Sequence, residues 1–389
     1  MILILAMAFR VAPAWAADAE DGFSATPAGD AYFSWRQNWT IWYPDYDERR
    51  ETTGDSQFDV ERVRLGFDAH GADGFYDVRV LIAATRDPGD DEWRADPDHA
   101  WVRLNFAPAF YASVGLVPTS YIPFLDEAWR YRFIEKSAYE KWLYRRGPLV
   151  PQPVVTEDGE APFRLVALHL GSPSETDLGV AVGGRVGEWM EWRVGHYNGE
   201  GAAHRETDGG KAVDGRLTVR PLARVEYLER LSITGASWYE KIDADEEETL
   251  WRISGLLHYR TTTASGRIVN LGVETDYQIY RPFRDATRDD TVHASVLSVF
   301  FEAGMTRQLA LIGRADHFDP DRKNGVHDSG YKDEHSSYLL GTAFNLDRHV
   351  RFAVNLEATS YRRELIDDGG DNRIPDPELF GAFHLGLEL

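Results

Sequence analysis

The stretch Asp59–Ala84, DVERVRLGFDAHGADGFYDVRVLIAA, decides the fold. In its first half Val63, Leu65, Phe67 and Ala69 fall on one face, with Arg62, Arg64, Gly66 and Asp68 on the other. After a short link at Gly71–Phe75 the second half repeats the arrangement, with Tyr76, Val78, Val80 and Ile82 opposite Asp77 and Arg79. Strict period two is the mark of a β-strand, whose successive side chains point to opposite faces. One face here is apolar and the other carries charge, so the stretch reads as an antiparallel hairpin between an apolar phase and water.

The same texture extends in both directions. Upstream, Phe33, Trp35, Trp39, Ile41 and Tyr43 share a face within Tyr32–Tyr43. Downstream, Asp98–Ala107 sets Val102, Leu104 and Phe106 against Arg103 and Asn105, and Phe110–Val117 follows after a tight turn. Similar runs occur at Asp177–Arg185, Trp189–Tyr197, Lys211–Arg220, Leu231–Glu240, Thr249–Arg260 and Arg267–Ile279. They continue at Thr291–Ala303, Leu309–Phe318, Ser337–Leu346, Val350–Tyr361 and Leu379–Leu389. A β-sandwich needs a dry interior, whereas a wide barrel holds water and tolerates a charged inner face on every strand. Aromatic residues near strand ends, Tyr43, Trp93, Trp101, Trp189, Tyr197, Trp238 and Tyr259, fit interfacial girdles.

Residues 118–176 break the pattern, beginning PTSYIPFLDEAWRYRFIEKSAYEKWLYRR. An insert of this length is uncommon in a compact domain unless it carries function. It contains one further apolar run, FRLVALHL (Phe163–Leu170), which would make the strand count odd. Read from either terminus, the connections alternate between short and long, and the two readings agree only if that run is not a wall strand. The expected fold is therefore all-β, a transmembrane antiparallel β-barrel of about sixteen strands, with a long third loop folded into the lumen.

Residues 1–16 read as a secretory signal peptide, an apolar segment followed by Ala14-Trp15-Ala16 before the cleavage point. Residues 17–31 are expected to be a periplasmic linker and residues 32–389 a single barrel domain. No apolar run reaches the roughly 18 residues of a spanning helix. The chain of 389 residues has 64 acidic against 42 basic side chains, which argues against nucleic-acid binding. The acids collect between the strands, as in Asp87–Glu92, Asp243–Glu248, Asp285–Asp290 and Asp367–Asp371. They read as solvated loop tips, or as sites where divalent cations bridge to outer-membrane lipid and lipopolysaccharide. With no cysteine there is no disulfide and no thiolate metal site.

Nothing in the sequence has the spacing of an enzyme: no G-x-S-x-G, no H-E-x-x-H, no phosphate-binding glycine loop and no dinucleotide fingerprint. No cofactor or metal is expected, and His196, His204 and His293 stand apart without ligand spacing.

The segments FDVERVRLGFDAH (Phe58–His70), FYDVRVLIAAT (Phe75–Thr85), AWVRLNF (Ala100–Phe106) and YASVGLVPTSYIPF (Tyr111–Phe124) resemble the N-terminal half of the phosphate-selective porin O and P family. DLGVAVGGRVGEWMEWRVGHYNGEG (Asp177–Gly201) and GRADHFDPD (Gly313–Asp321) are similar to later landmarks of that family. The resemblance implies a bacterial outer-membrane channel, a homotrimer, and a loop that narrows the lumen. The insert departs from the family's lysine clusters, since Lys136 and Lys141 stand beside Glu135 and Glu140.

Selectivity comes from the charges at the narrowest point of a pore. Within the insert Asp126–Tyr144 has helix-forming composition, and residues 126–146 carry Arg130, Arg132, Lys136, Lys141, Arg145 and Arg146 against the four acids Asp126, Glu127, Glu135 and Glu140. By parity the inward wall residues include Arg62, Arg64, Arg79, Arg103, Arg193, Arg216, Arg252, Arg314 and Arg351, facing acids such as Asp68, Asp77 and Glu191. The expected constriction is Arg130, Arg132, Lys136 and Lys141 of the insert with Arg64, Arg79, Arg103 and Arg193 of the wall. The expected function is passive diffusion of small hydrophilic solutes with a modest preference for anions, phosphate or other oxyanions included. The alternative is a barrel scaffold or sheath for a partner protein or electron carrier.

Overall fold

The computed structural model describes residues 23–40, 56–71, 73–86, 93–145, 149–153, 163–167, 175–199, 201, 209–243, 248–281, 291–319, 334–347, 349–361, 365–366, 372–373 and 378–388. The signal-peptide reading and the acidic stretches 87–92, 285–290 and 367–371 fall outside them, as does Tyr43.

Sixteen strands close into one antiparallel barrel. In chain order they begin β1 (Phe23–Thr40), β2 (Ser56–Gly71), β3 (Tyr76–Arg86), β4 (Trp93–Ala107) and β5 (Phe110–Pro118). The insert contributes helices α1 (Ile122–Trp129) and α2 (Ala138–Arg145) and the hairpin β6 (Leu149–Pro153) with β7 (Phe163–Ala167). The wall resumes with β8 (Thr176–Val186), β9 (Met190–Tyr197), β10 (Lys211–Val219), β11 (Leu231–Asp243), β12 (Glu248–Thr262) and β13 (Ile268–Arg281). It continues through β14 (Val292–Gly304), β15 (Leu309–Asp319), β16 (His335–Asn345) and β17 (Val350–Tyr361). A second small hairpin, β18 (Leu365–Ile366) with β19 (Asn372–Arg373), precedes β20 (Glu378–Glu388). Strand β20 pairs with both β17 and β1, which closes the ring. Closure leaves no sheet edge, so the wall satisfies its backbone groups without water.

The described part of the FRLVALHL run, FRLVA, is not a wall strand: among the described residues β7 pairs with β6 in a separate sheet, and residues 168–170 lie outside them. The wall passes directly from β5 to β8, and its last register pair joins Pro118 to Thr176. The two ends of the insert are therefore cross-strand neighbours.

The alternation of the sequence appears as alternation of burial. Along β13 the pattern switches residue by residue, with Leu271, Val273 and Thr275 outward and Asn270, Glu274 and Asp276 buried inside. Outward apolar side chains remain exposed around the barrel, including Leu65, Val114, Val180, Leu257, Leu340 and Val354. An apolar belt of this kind suits lipid, which asks for no hydrogen bonds.

Three local expectations change. Strand β1 begins at Phe23, so residues 23–31 of the expected linker are wall, paired with β2 from Phe23↔Gly71 to Ala31↔Val63. Alternation there was hidden by small residues, since Ala25, Pro27 and Gly29 give little apolar contrast. Three of the expected girdle residues point inward: Tyr197 and Trp238 are buried against one another in a stacked pair, and Trp101 packs against the same cluster. Finally, the helical stretch of the insert is two helices. Arg130 adopts φ 70 and its N–H donates to the Asp126 carbonyl at 2.7 Å, a left-handed C-cap that ends α1. The Ser137 hydroxyl then accepts from the Glu140 N–H at 3.3 Å and starts α2.

The inner wall is not uniformly polar. Val296 and Phe300 on β14, Ile312 and Phe318 on β15 and Leu339 on β16 face inward and are buried. Against them pack Tyr121, Ile122, Leu125, Trp129, Tyr131, Phe133, Ile134 and Tyr139 of the insert. A barrel of this width would leave such residues wet, and the insert removes them from water instead. Each large side chain so buried contributes about 1.5–3 kcal/mol.

Candidate pore constriction

The insert divides the lumen into two environments. Where it meets the wall it is held by buried ion pairs, and further pairs join its own residues. Arg130 places Nη1 at 3.0 and 2.8 Å from the two carboxylate oxygens of Glu302 on β14. The Lys141 ammonium lies 2.5 Å from Glu357 on β17 and 3.2 Å from Glu135. Arg132 pairs with Glu140 and, at 3.2 Å, with Asp126. Lys136 reaches Glu140 at 3.1 Å, one helical turn away.

At the far end of the insert Glu175 gathers three guanidinium groups, Arg62 at 2.6 Å, Arg64 at 2.7 Å and Arg132 at 4.0 Å. Arg64 also pairs with Asp30 and, at 3.1 Å, with Asp98. Backbone carbonyls of the insert are claimed too: Asn270 donates to Ala128 at 2.8 Å, Arg351 donates to Arg130 at 2.7 Å, and Arg314 donates to Lys136. Removing one partner from a buried pair leaves an uncompensated charge, which is what makes this arrangement hold.

Protonation follows from the same crowding. Burial pushes the Asp126 carboxyl up to about 7, helped by the neighbouring Glu140 and Glu175 carboxylates and opposed by Arg132. Burial also raises Glu140, but Arg132 and Lys136 outweigh it and hold the group at about 2. Two carboxylates thus share Arg132, and one of them gives way.

On the opposite side, a cavity of about 250 Å³ lies between the start of the insert and strands β3, β4, β5, β9 and β10. Four arginines line it, Arg79, Arg103, Arg193 and Arg216, together with Glu127 of α1 and Glu191 of β9. Their heights follow from the register: Arg193 lies directly across from Arg216, and Arg103 across from Ser113. Next to them the inner wall carries only small side chains, Ser113, Ala181 and Gly195 in cross-strand succession. Of these Ser113 borders the cavity, while the Tyr197 ring covers Gly195.

The insert forms the other side of the cavity. Its first turn is pinned by the Ser120 N–H, which donates to Asp214 at 2.6 Å, and by Arg193, which donates to the Pro118 carbonyl. Pro123 near the start of α1 fixes the direction of the helix. The Arg216 guanidinium lies 4.3 Å from the centre of the Phe124 ring, and that of Arg103 lies 5.1 Å from Trp101 and 5.2 Å from Tyr111. Arg79 is paired with Asp68 at 2.6 Å, Arg103 with Asp77 at 3.2 Å, and Arg216 with Glu191. Arg193 has no carboxylate partner among the described residues.

Of the eight residues expected at the constriction, Arg79, Arg103 and Arg193 come together at this cavity. Arg64, Arg130, Arg132, Lys136 and Lys141 are instead engaged in the ion pairs that hold the insert. Arg216 and Glu191 belong to the inward set but were not singled out, and Glu127, Trp101 and Phe124 were missed as lining residues. Arg216 lies as far from the 220–230 link as Arg193 does from the turn at 187–189, which would have placed the two level.

Comparison with solved structures gives the architecture a relative. The anion-selective porin from Comamonas acidovorans superposes with a TM-score of 0.61, covering 94% of this chain and 100% of that one at 10% identity. The chain has the porin fold. A second porin-fold neighbour, the outer membrane channel DcaP of Acinetobacter baumannii, gives a TM-score of 0.58, with 95% and 99% of the two chains covered at 10% identity. The trimer form of OmpT, an outer membrane protein of Vibrio cholerae, gives 0.57 over 95% and 100% of the chains at 9% identity. No family model and no curated protein matches the sequence. At these identities the likeness speaks for the barrel fold alone, and the function must be argued from the lumen.

Proposed function

We propose that the protein is an outer-membrane porin through which small hydrophilic solutes diffuse passively, with a modest preference for anions. The observation that carries this reading is Arg193 directly opposite Arg216 on the inner wall, beside a cavity. Like charges across a strand pair are destabilising, and a wall that served only to span the membrane would not need them there. Field lines concentrate in a water-filled passage with low-dielectric walls, so four guanidinium groups against two carboxylates favour anions at the narrow point. The preference is modest because Asp68 and Asp77 stand behind Arg79 and Arg103.

Phosphate in particular is not favoured over other anions. Lys136 and Lys141, the two lysines of the insert, both sit in ion pairs with glutamates. The resemblance to the phosphate-selective porin O and P family therefore supports the channel and not the solute. Export by the N-terminal signal, residence in the outer membrane among lipid and lipopolysaccharide, and assembly as a homotrimer complete the proposal. A trimer has been described for the similar Vibrio cholerae protein.

The test is conductance. Purified protein in planar bilayers gives stepwise ion currents, and under a potassium chloride gradient the reversal potential takes the sign of anion preference. Arg193→Gln moves the anion-to-cation permeability ratio towards unity. Absence of current in every condition refutes the reading. One observation favours the scaffold alternative, namely the apolar packing of the insert against β14–β16, which closes part of the lumen. A partner that co-purifies in fixed ratio from a non-conducting barrel would establish it.

A further inference from the structure

We propose, resting on the anion-pore reading, that the cavity beneath α1 is a binding site for planar aromatic monocarboxylates of the benzoate kind. Three features of the cavity lead there. The first is its charge. Among the described residues, Arg79, Arg103 and Arg216 each have a carboxylate partner, and Arg193 alone has none. Arg193 gives one N–H to the Pro118 carbonyl and feels the Asp214 carboxylate only from beyond ion-pair distance, so its guanidinium can take one further negative charge. A strongly hydrated dianion such as phosphate requires several free donors to replace its water.

The second feature is the presentation of flat surfaces. Trp101 and Phe124 both line the cavity, and each already carries a guanidinium against its ring, Arg103 at 5.1 Å and Arg216 at 4.3 Å. Stacked guanidinium and aromatic planes form extended flat faces with positive charge at the surface. A ring that bears its own negative charge meets such a face with both its π-system and its carboxylate. A saturated ring of equal charge gains only the second contact. The third feature is size. A cavity of about 250 Å³ corresponds to roughly eight waters at ~30 Å³ each, room for one ring and one carboxylate.

The probes are sodium benzoate, sodium cyclohexanecarboxylate, sodium phosphate and neutral benzyl alcohol, added to single channels conducting potassium chloride. Benzoate reduces the chloride current at a concentration about fivefold lower than cyclohexanecarboxylate, the ratio expected of one aromatic contact. Phosphate and benzyl alcohol act more weakly than either. Phe124→Leu, and separately Trp101→Leu, bring the benzoate-to-cyclohexanecarboxylate ratio towards one; two variants guard against one that fails to assemble. Equal action of the two carboxylates overturns the proposal, as does stronger action by phosphate or by benzyl alcohol. If the chloride reversal potential itself shows no anion preference, the porin reading of the previous subsection fails first. A channel that prefers chloride but ignores the ring defeats only the present inference.

Discussion

The two sides of the lumen use the same residue types to opposite ends. On the side of β11–β17, arginines and lysines of the insert are buried against glutamates of the wall, as in Arg130 with Glu302 and Lys141 with Glu357. On the side of β3–β10, arginines belong to the wall itself and line a cavity that the insert roofs but does not fill. A basic side chain is a fastener where its partner is buried with it and a selectivity element where the space beside it stays open. The apolar seat on β14–β16 explains the asymmetry, because only that side offers the insert a surface on which Trp129 and its neighbours can leave water.

The comparison can be broken most forcefully by removing the insert. Because Pro118 and Thr176 are cross-strand partners, a two-residue turn can join β5 to β8 in place of residues 119–175. Such a barrel should conduct severalfold more than the native protein and lose its anion preference together with the roof of the cavity. Unchanged conductance would mean that the insert does not occlude the passage. A smaller effect is expected of Arg132→Ala, which takes from Glu140 and Asp126 their shared guanidinium and leaves Glu140 with Lys136. Breaking a buried pair costs about 3–5 kcal/mol when no other cation remains, and Lys136 lowers that cost here. Thermal unfolding in detergent should show it, while Arg185→Ala, an exposed pair with Glu191 at 3.3 Å, should change the midpoint little.

The smallest effect concerns protons. The Asp126 carboxyl titrates at about 7 in the folded protein, above its ordinary value of 3.8. An acid raised by folding contributes its stability fully below the ordinary value and loses it as the pH rises through the folded one. The thermal midpoint should therefore fall between pH 4 and pH 7 and then level off. Asp126→Asn, which keeps an oxygen for Arg132, should flatten that slope. A slope that persists in Asp126→Asn assigns it to another group. Glu140, held at about 2, works in the opposite sense and matters only in stronger acid, where its pairing with Arg132 is lost.

The wall was legible because its rule is local. Period two in DVERVRLGFDA and in its successors depends on neighbours one and two residues away, and the alternation of short and long links excludes FRLVALHL from the count. The fasteners were not legible, because they join residues far apart in the chain. Arg130 meets Glu302 across 172 positions and Lys141 meets Glu357 across 216. An arginine on an insert reads the same whether it faces water or a buried carboxylate. The seat on β14 did leave a trace, since SVLSVFF (Ser295–Phe301) is apolar on both faces for part of its length. A strand apolar on both sides is covered on both sides, which points to something packed inside the barrel.

The pairing of Pro118 with Thr176 also bears on the order in which the molecule forms. The sheet can zip from β5 to β8 without waiting for the residues between them, since closing the longer loop adds only a slowly growing entropic cost. The insert's own partners on β14, β15 and β17 come later in the chain, so its docking follows assembly of the wall. The last step of folding is then the sealing of one side of an already formed cylinder. The first step of unfolding should be its release.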